Sequence, residues 1–80
     1  MKKYCVKEGD TFYIKNENIL SEYSIRDVTR IMIRDVTRIM ILQVGDEIVD
    51  CKIIEGYSTG GYIWFYKDEF NNKNFRKYRK

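Results

Sequence analysis

The sequence predicts a mainly β fold, a small SH3-like bent barrel of about five strands, on three observations. Two β-rich runs, RIMILQV and EIVDCKII, flank Gly45-Asp46 and read as a tight hairpin. TFYIK and YIWFYK add two further runs of β-forming residues. A long connection follows the first of these, and a turn at Asp68-Glu69-Phe70 precedes a last short run, an order of elements that suits a five-stranded barrel. The competing arrangement is α+β, with residues 25–40 forming a helix packed on an antiparallel sheet.

Residues 1–6 read as a short first strand, with Tyr4 and Val6 on one face, stopped by Gly9-Asp10. In residues 11–15, Phe12 and Ile14 face one way and Thr11, Tyr13 and Lys15 the other, as period-2 side-chain alternation requires. Residues 16–24 are polar and turn-like, apart from Ile19 and Leu20, which tuck a loop or one helical turn against the core. In the second hairpin arm Val49, Cys51 and Ile53 alternate with Asp50 and Lys52, and Gly56 ends the run. YSTGG is a connecting loop. In the aromatic run after it, Tyr62, Trp64 and Tyr66 share one face and Ile63 and Phe65 the other, so the strand is expected to be central or to have one face covered by a partner. Residues 71–80 form a final short strand or a tail.

The octamer IRDVTRIM is written twice without change, at residues 25–32 and 33–40, and Ile41 begins an abortive third copy. Repeat architectures stack three or more units of roughly 20–50 residues, so this is a local duplication inside a host domain. In a strand, eight extra residues leave every later side chain on its original face. In a helix they rotate everything downstream by about 80°. A helix would align Ile25, Val28, Met32, Val36 and Ile39, whereas the Ile, Val and Thr content favours strand. The second copy reads as strand running into Ile41, Leu42, Gln43 and Val44, and the first stays open between a short helix and extended chain. Because the copies are identical, either can fill the same slot in the core. That degeneracy points to register heterogeneity, or to a homodimer or strand-exchanged oligomer, with Ile25, Val28, Ile31, Ile33, Val36 and Ile39 as the self-association residues.

Eighty residues form one domain over 1–80, near the size at which a single core becomes marginal. No run approaches the roughly 18 apolar residues of a membrane span, and the N-terminus lacks the apolar core of a signal peptide, so a cytoplasmic protein is expected. Cys5 and Cys51, with no histidine in the chain, make neither a disulfide framework nor a metal set; no cofactor and no metal are expected. The lack of histidine also removes the commonest general base near neutral pH, and no catalytic residues are assigned. GYSTGG lacks the Lys-Ser/Thr ending of a phosphate-binding loop, and Asp50-Cys51-Lys52, which has the acid-x-Lys spacing of some Mg²⁺ nucleases, reads as a solvated strand face.

The net charge of +3 is unevenly placed: residues 70–80 carry +5 and the rest of the chain −2. This basic aromatic C-terminal segment supports a small non-enzymatic binding protein that contacts nucleic acid. Lys73, Arg76, Lys77, Arg79 and Lys80 would meet phosphates, and Tyr78 with Trp64 would stack on bases. The rival reading is a protein-binding inhibitor or adaptor of the mobile-element type, acting through the Trp64 face and a strand edge. A third is a tandem duplication engineered into a 72-residue parent to study folding or strand exchange.

Overall fold

The computed structural model describes residues 2–16, 19 and 36–78. These carry five antiparallel strands: β1 (Thr11–Ile14), β2 (Arg38–Val44), β3 (Ile48–Glu55), β4 (Tyr62–Tyr66) and β5 (Phe75–Lys77), with a 3₁₀ turn at Lys67–Glu69 before the last. They form one sheet in the order β4-β3-β2-β1-β5. The mainly β expectation holds, as do the strand at 11–15, the central hairpin and the aromatic strand.

Alternation sets the core. β1 buries Phe12 and Ile14, β2 buries Ile39 and Ile41, β3 buries Val49, Cys51 and Ile53, and β4 buries Ile63 and Phe65. Phe70 and Phe75 complete the interior, both fully buried and stacked with centroids 4.5 Å apart. Ile19, in a helical conformation, is buried against the same cluster.

The sheet is strongly bent. Phe65 lies on one edge strand and Phe75 on the other, yet their ring centroids are 5.1 Å apart. A flat sheet would hold those strands about 19 Å apart, at roughly 4.8 Å per strand spacing. Two irregularities help the bend: Leu42 is an extra residue on β2, between the pairs Ile41↔Cys51 and Gln43↔Asp50, and Ile54 is an extra residue on β3, between Arg38↔Glu55 and Ile39↔Ile53. β4 and β5 do not pair with each other, so the barrel is not closed.

The β2–β3 connection is tight because the Gly45 N–H donates to the Ile48 carbonyl at 2.9 Å; a Cβ at Gly45 would meet that same oxygen at 2.9 Å. The β3–β4 connection turns through Gly56 and Gly60, both at positive φ.

Four expectations are corrected or narrowed. Residues 2–6 make only an isolated bridge, Lys3↔Asn71, instead of a first strand, although Tyr4 and Val6 do pack on the core. A helix spanning all of 25–40 is excluded because β2 begins at Arg38; residues 25–35 lie outside the described residues. β4 is an edge strand, and its second aromatic face is divided: Tyr62 is 64% exposed and Tyr66 44%, while Trp64 is half-buried and packs against the core. Residues 70–78 are not a tail. Phe70, Asn71, Asn74 and Phe75 are buried, and Tyr78 N–H donates to the Thr11 carbonyl at 2.9 Å.

Candidate binding surface

The outer face of β5, β1 and β2 places two cations and two rings side by side. Directly opposed residues in antiparallel strands share a face, and Tyr13 opposes both Arg38 on β2 and Arg76 on β5. The register therefore writes a row across the sheet, Arg76–Tyr13–Arg38, continued on β3 by Glu55, which opposes Arg38. Tyr78, two residues beyond Arg76, reaches the same face, its ring 5.6 Å from that of Tyr13 in an edge-to-face arrangement.

Both guanidiniums lie over rings. Arg76 sits 4.8 Å from the Tyr13 centroid, and Arg38 sits 4.6 Å from that of Tyr78 and 5.8 Å from that of Tyr13. The negative ring faces attract the cations and hold them flat against the sheet. Arg38 is the more enclosed. Its Nε is buried 3.7 Å from Glu55 Oε2, with no hydrogen-bond partner among the described residues. Burial alone would lower its pKa, but its interactions with Tyr13 and Glu55, and with Tyr78, raise it above the ordinary arginine value. Arg76 is exposed, and no ion pair among the described residues includes it.

Of the site residues expected from sequence, Arg76 and Tyr78 come together here. Lys77 has the opposite parity and pairs with Asp10 at 3.6 Å. Lys73 is exposed in the turn before β5, its backbone N–H donating to Asn71 Oδ1. Arg79 and Lys80 lie outside the described residues. Trp64 is elsewhere: Phe65 and Phe75 meet inside the barrel, so the outward residues of β4 and β5 face away from each other on opposite walls. Val36 and Ile39 are fully buried in the core, while Ile25, Val28, Ile31 and Ile33 lie outside the described residues. Tyr13 was not singled out for this role from sequence, and Arg38, which recurs with Arg26, Arg30 and Arg34 among Asp27 and Asp35, reads there as part of a solvated charged face instead of a phosphate-binding stripe. Their membership follows from strand register, and the only local trace is that Tyr13 occupies an outward position of β1.

The wall formed by β3 and β4 differs in character. Tyr62, Trp64 and Tyr66 oppose Lys52, Asp50 and Ile48, and the Trp64 and Tyr66 rings meet edge-to-face at 5.3 Å. Below them, an open cleft of 350 Å³ between the β2–β3 turn and the 3₁₀ turn is lined by Asp46, Glu47, Tyr66, Lys67 and Asp68, three carboxylates against one amine. The described residues contain no group of three or more His, Cys, Asp or Glu side chains placed to hold a metal ion. Cys5 is an exposed thiol. Cys51 is buried, and burial, with the nearby Asp50 charge, pushes its pKa far up. No helix among the described residues is long and apolar enough to cross a membrane. No family model, curated protein or solved structure matches the chain, so its functional reading rests on these surfaces alone.

Proposed function

We propose that the protein is a non-enzymatic nucleic-acid-binding module that takes single strands on the Arg76–Tyr13–Arg38 row. The observation that carries this reading is the alternation of cation and ring along three paired strands, with Tyr78 beside them. Binders of single strands combine cations that track phosphates with rings on which bases stack, whatever the sequence. Tyr13 and Tyr78 supply the rings. Arg38 and Arg76 supply the cations, with Lys73 near the start of β5 as a further phosphate contact. Trp64 falls outside this surface, which narrows the stacking set to Tyr13 and Tyr78.

The opposite wall favours the rival reading, a protein-binding adaptor, through its exposed Tyr62, Tyr66 and Ile48. The two readings separate in a titration of a fluorescent oligothymidylate at several salt concentrations. With about three phosphates neutralised, affinity is expected to fall about 20-fold between 50 and 200 mM salt. Tyr13→Ala and Arg76→Ala should both weaken binding, while Tyr62→Ala should not. Absence of binding at low salt, or a flat salt response, overturns the nucleic-acid reading.

A further inference from the structure

The duplicated octamer lies in the part of the chain that enters β2, and the surroundings of β2 show what a shift by one octamer would change. In the observed register Val36, Ile39 and Ile41 are buried, Val44 is half-buried, and Arg38 stands beside Tyr13. Moving the chain by eight residues brings Val28, Ile31, Ile33, Val36 and Arg30 to those five positions, with the same residue type at each. The only changes along VTRIMILQV are at Leu42 and Gln43, which become Arg34 and Asp35. Both positions are exposed, and Leu42 is the bulged residue that opposes no residue on β3.

We infer that the protein has a second native register, in which residues 30–36 form the central strand and residues 37–44 join the connection to β3. Every core contact of β2 is rebuilt with an identical side chain, and period-2 alternation survives because eight is even. Arg30 takes the place of Arg38, so the cation–ring row beside Tyr13 is kept in both registers. The exchange moves eight residues from the β1–β2 connection to the β2–β3 connection, which grows from the three residues 45–47 to eleven. Loop closure depends only weakly on length. The specific losses are the turn closed by Gly45 N–H on the Ile48 carbonyl and the placing of Asp35 opposite Asp50, where Gln43 stands in the observed register; together they make the observed register the major one. The minor register presents Ile39, Met40, Ile41, Leu42 and Val44 in the β2–β3 connection, an apolar segment that the major register keeps within the strand.

Substitution of one copy tests this. In a protein with a single register, Ile39→Asp places a carboxylate at a fully buried position and abolishes folding. With two registers, the full chain escapes by seating Ile31 in the slot. Ile39→Asp in the full chain is therefore expected to remain a folded monomer with a dispersed amide spectrum and a cooperative melt. The same substitution in a chain with one octamer removed, and the double variant Ile31→Asp/Ile39→Asp, are expected to be unfolded. Unfolding of the full-length single variant, folding of either control, or folding only at the mass of a dimer overturns the inference. A milder pair keeps the question answerable without a buried charge: Ile39→Ala should lower the melting temperature of the full chain less than that of the shortened chain, and equal losses overturn it as well.

Discussion

Phe65 on β4 and Phe75 on β5 touch across the barrel at 5.1 Å although three strands separate them along the sheet. Phe70 lies against both, 4.5 Å from Phe75 and 5.9 Å from Phe65, so the segment that follows the 3₁₀ turn fills the open side of the bent sheet. The basic C-terminal stretch is therefore anchored by core phenylalanines, and its Arg76 and Lys77 are displayed from a strand.

Removing that anchor should unfold the protein. Phe75→Ala deletes a fully buried ring, a change that typically costs about 3–5 kcal/mol, a large share of the stability of so small a domain. Truncation after residue 70 should do the same, since it also removes β5 from the β1 edge. Urea titration followed by tryptophan fluorescence would read both. A stable, cooperative truncated chain would show that the segment is dispensable to the fold.

The two thiols should behave oppositely. Cys5 is exposed and Cys51 is buried with its ionisation suppressed. An aromatic disulfide reagent at neutral pH should titrate one thiol in the native protein and two in denaturant. The linkage has a definite sign. The folded thiol has its pKa raised above the unfolded value of about 8.5, so the neutral form is favoured in the folded state. Its contribution is intact below that pH and is lost as pH rises, by up to about 1.4 kcal/mol per unit. Thermal melts from pH 8 upward should fall more steeply for the parent than for Cys51→Ala; parallel curves would remove the thiol as the cause.

Much of the fold was legible because period-2 patterning and turn chemistry are local. Val49, Cys51 and Ile53 against Asp50 and Lys52 marked the buried face of β3, and Gly45-Asp46 marked its turn. The N-terminal strand failed because Tyr4 and Val6 alternate correctly, yet the chain there meets only Asn71 as a bridge partner. For β4 the central alternative fails for a related reason: YIWFY is apolar on both faces, but nothing local says that the strand lies at the sheet edge. The binding row was the least legible feature. Arg38 and Arg76 lie far apart in sequence, and Tyr13 joins them only through the pairings Tyr13↔Arg38 and Tyr13↔Arg76.

If the row binds phosphates, its members should separate by mechanism. Arg76→Ala removes an exposed cation, so stability should change by no more than about 0.5 kcal/mol. The logarithmic salt slope for a single strand should decrease by about 0.7. Lys77→Ala should alter the slope less, because that amine already has Asp10 as partner at 3.6 Å. Equal effects of the two substitutions would indicate a diffuse electrostatic surface and not a row.

Glu55 offers the sharpest test of Arg38. Its carboxylate is 48% exposed, lies 3.7 Å from the Arg38 Nε, and is the one acidic side chain that continues the row across β3. A bound phosphate would compete with it for the guanidinium and be repelled by it. Glu55→Gln keeps the shape and removes the charge, so it should tighten oligonucleotide binding severalfold, with the gain largest at low salt where screening is weakest. Paired with Arg38→Gln, the same substitution should give little gain, because the cation it liberates is gone. Weaker binding by Glu55→Gln would mean that the carboxylate serves to hold Arg38 over the Tyr78 ring, and that Arg38 is a positioning residue and not itself a phosphate contact.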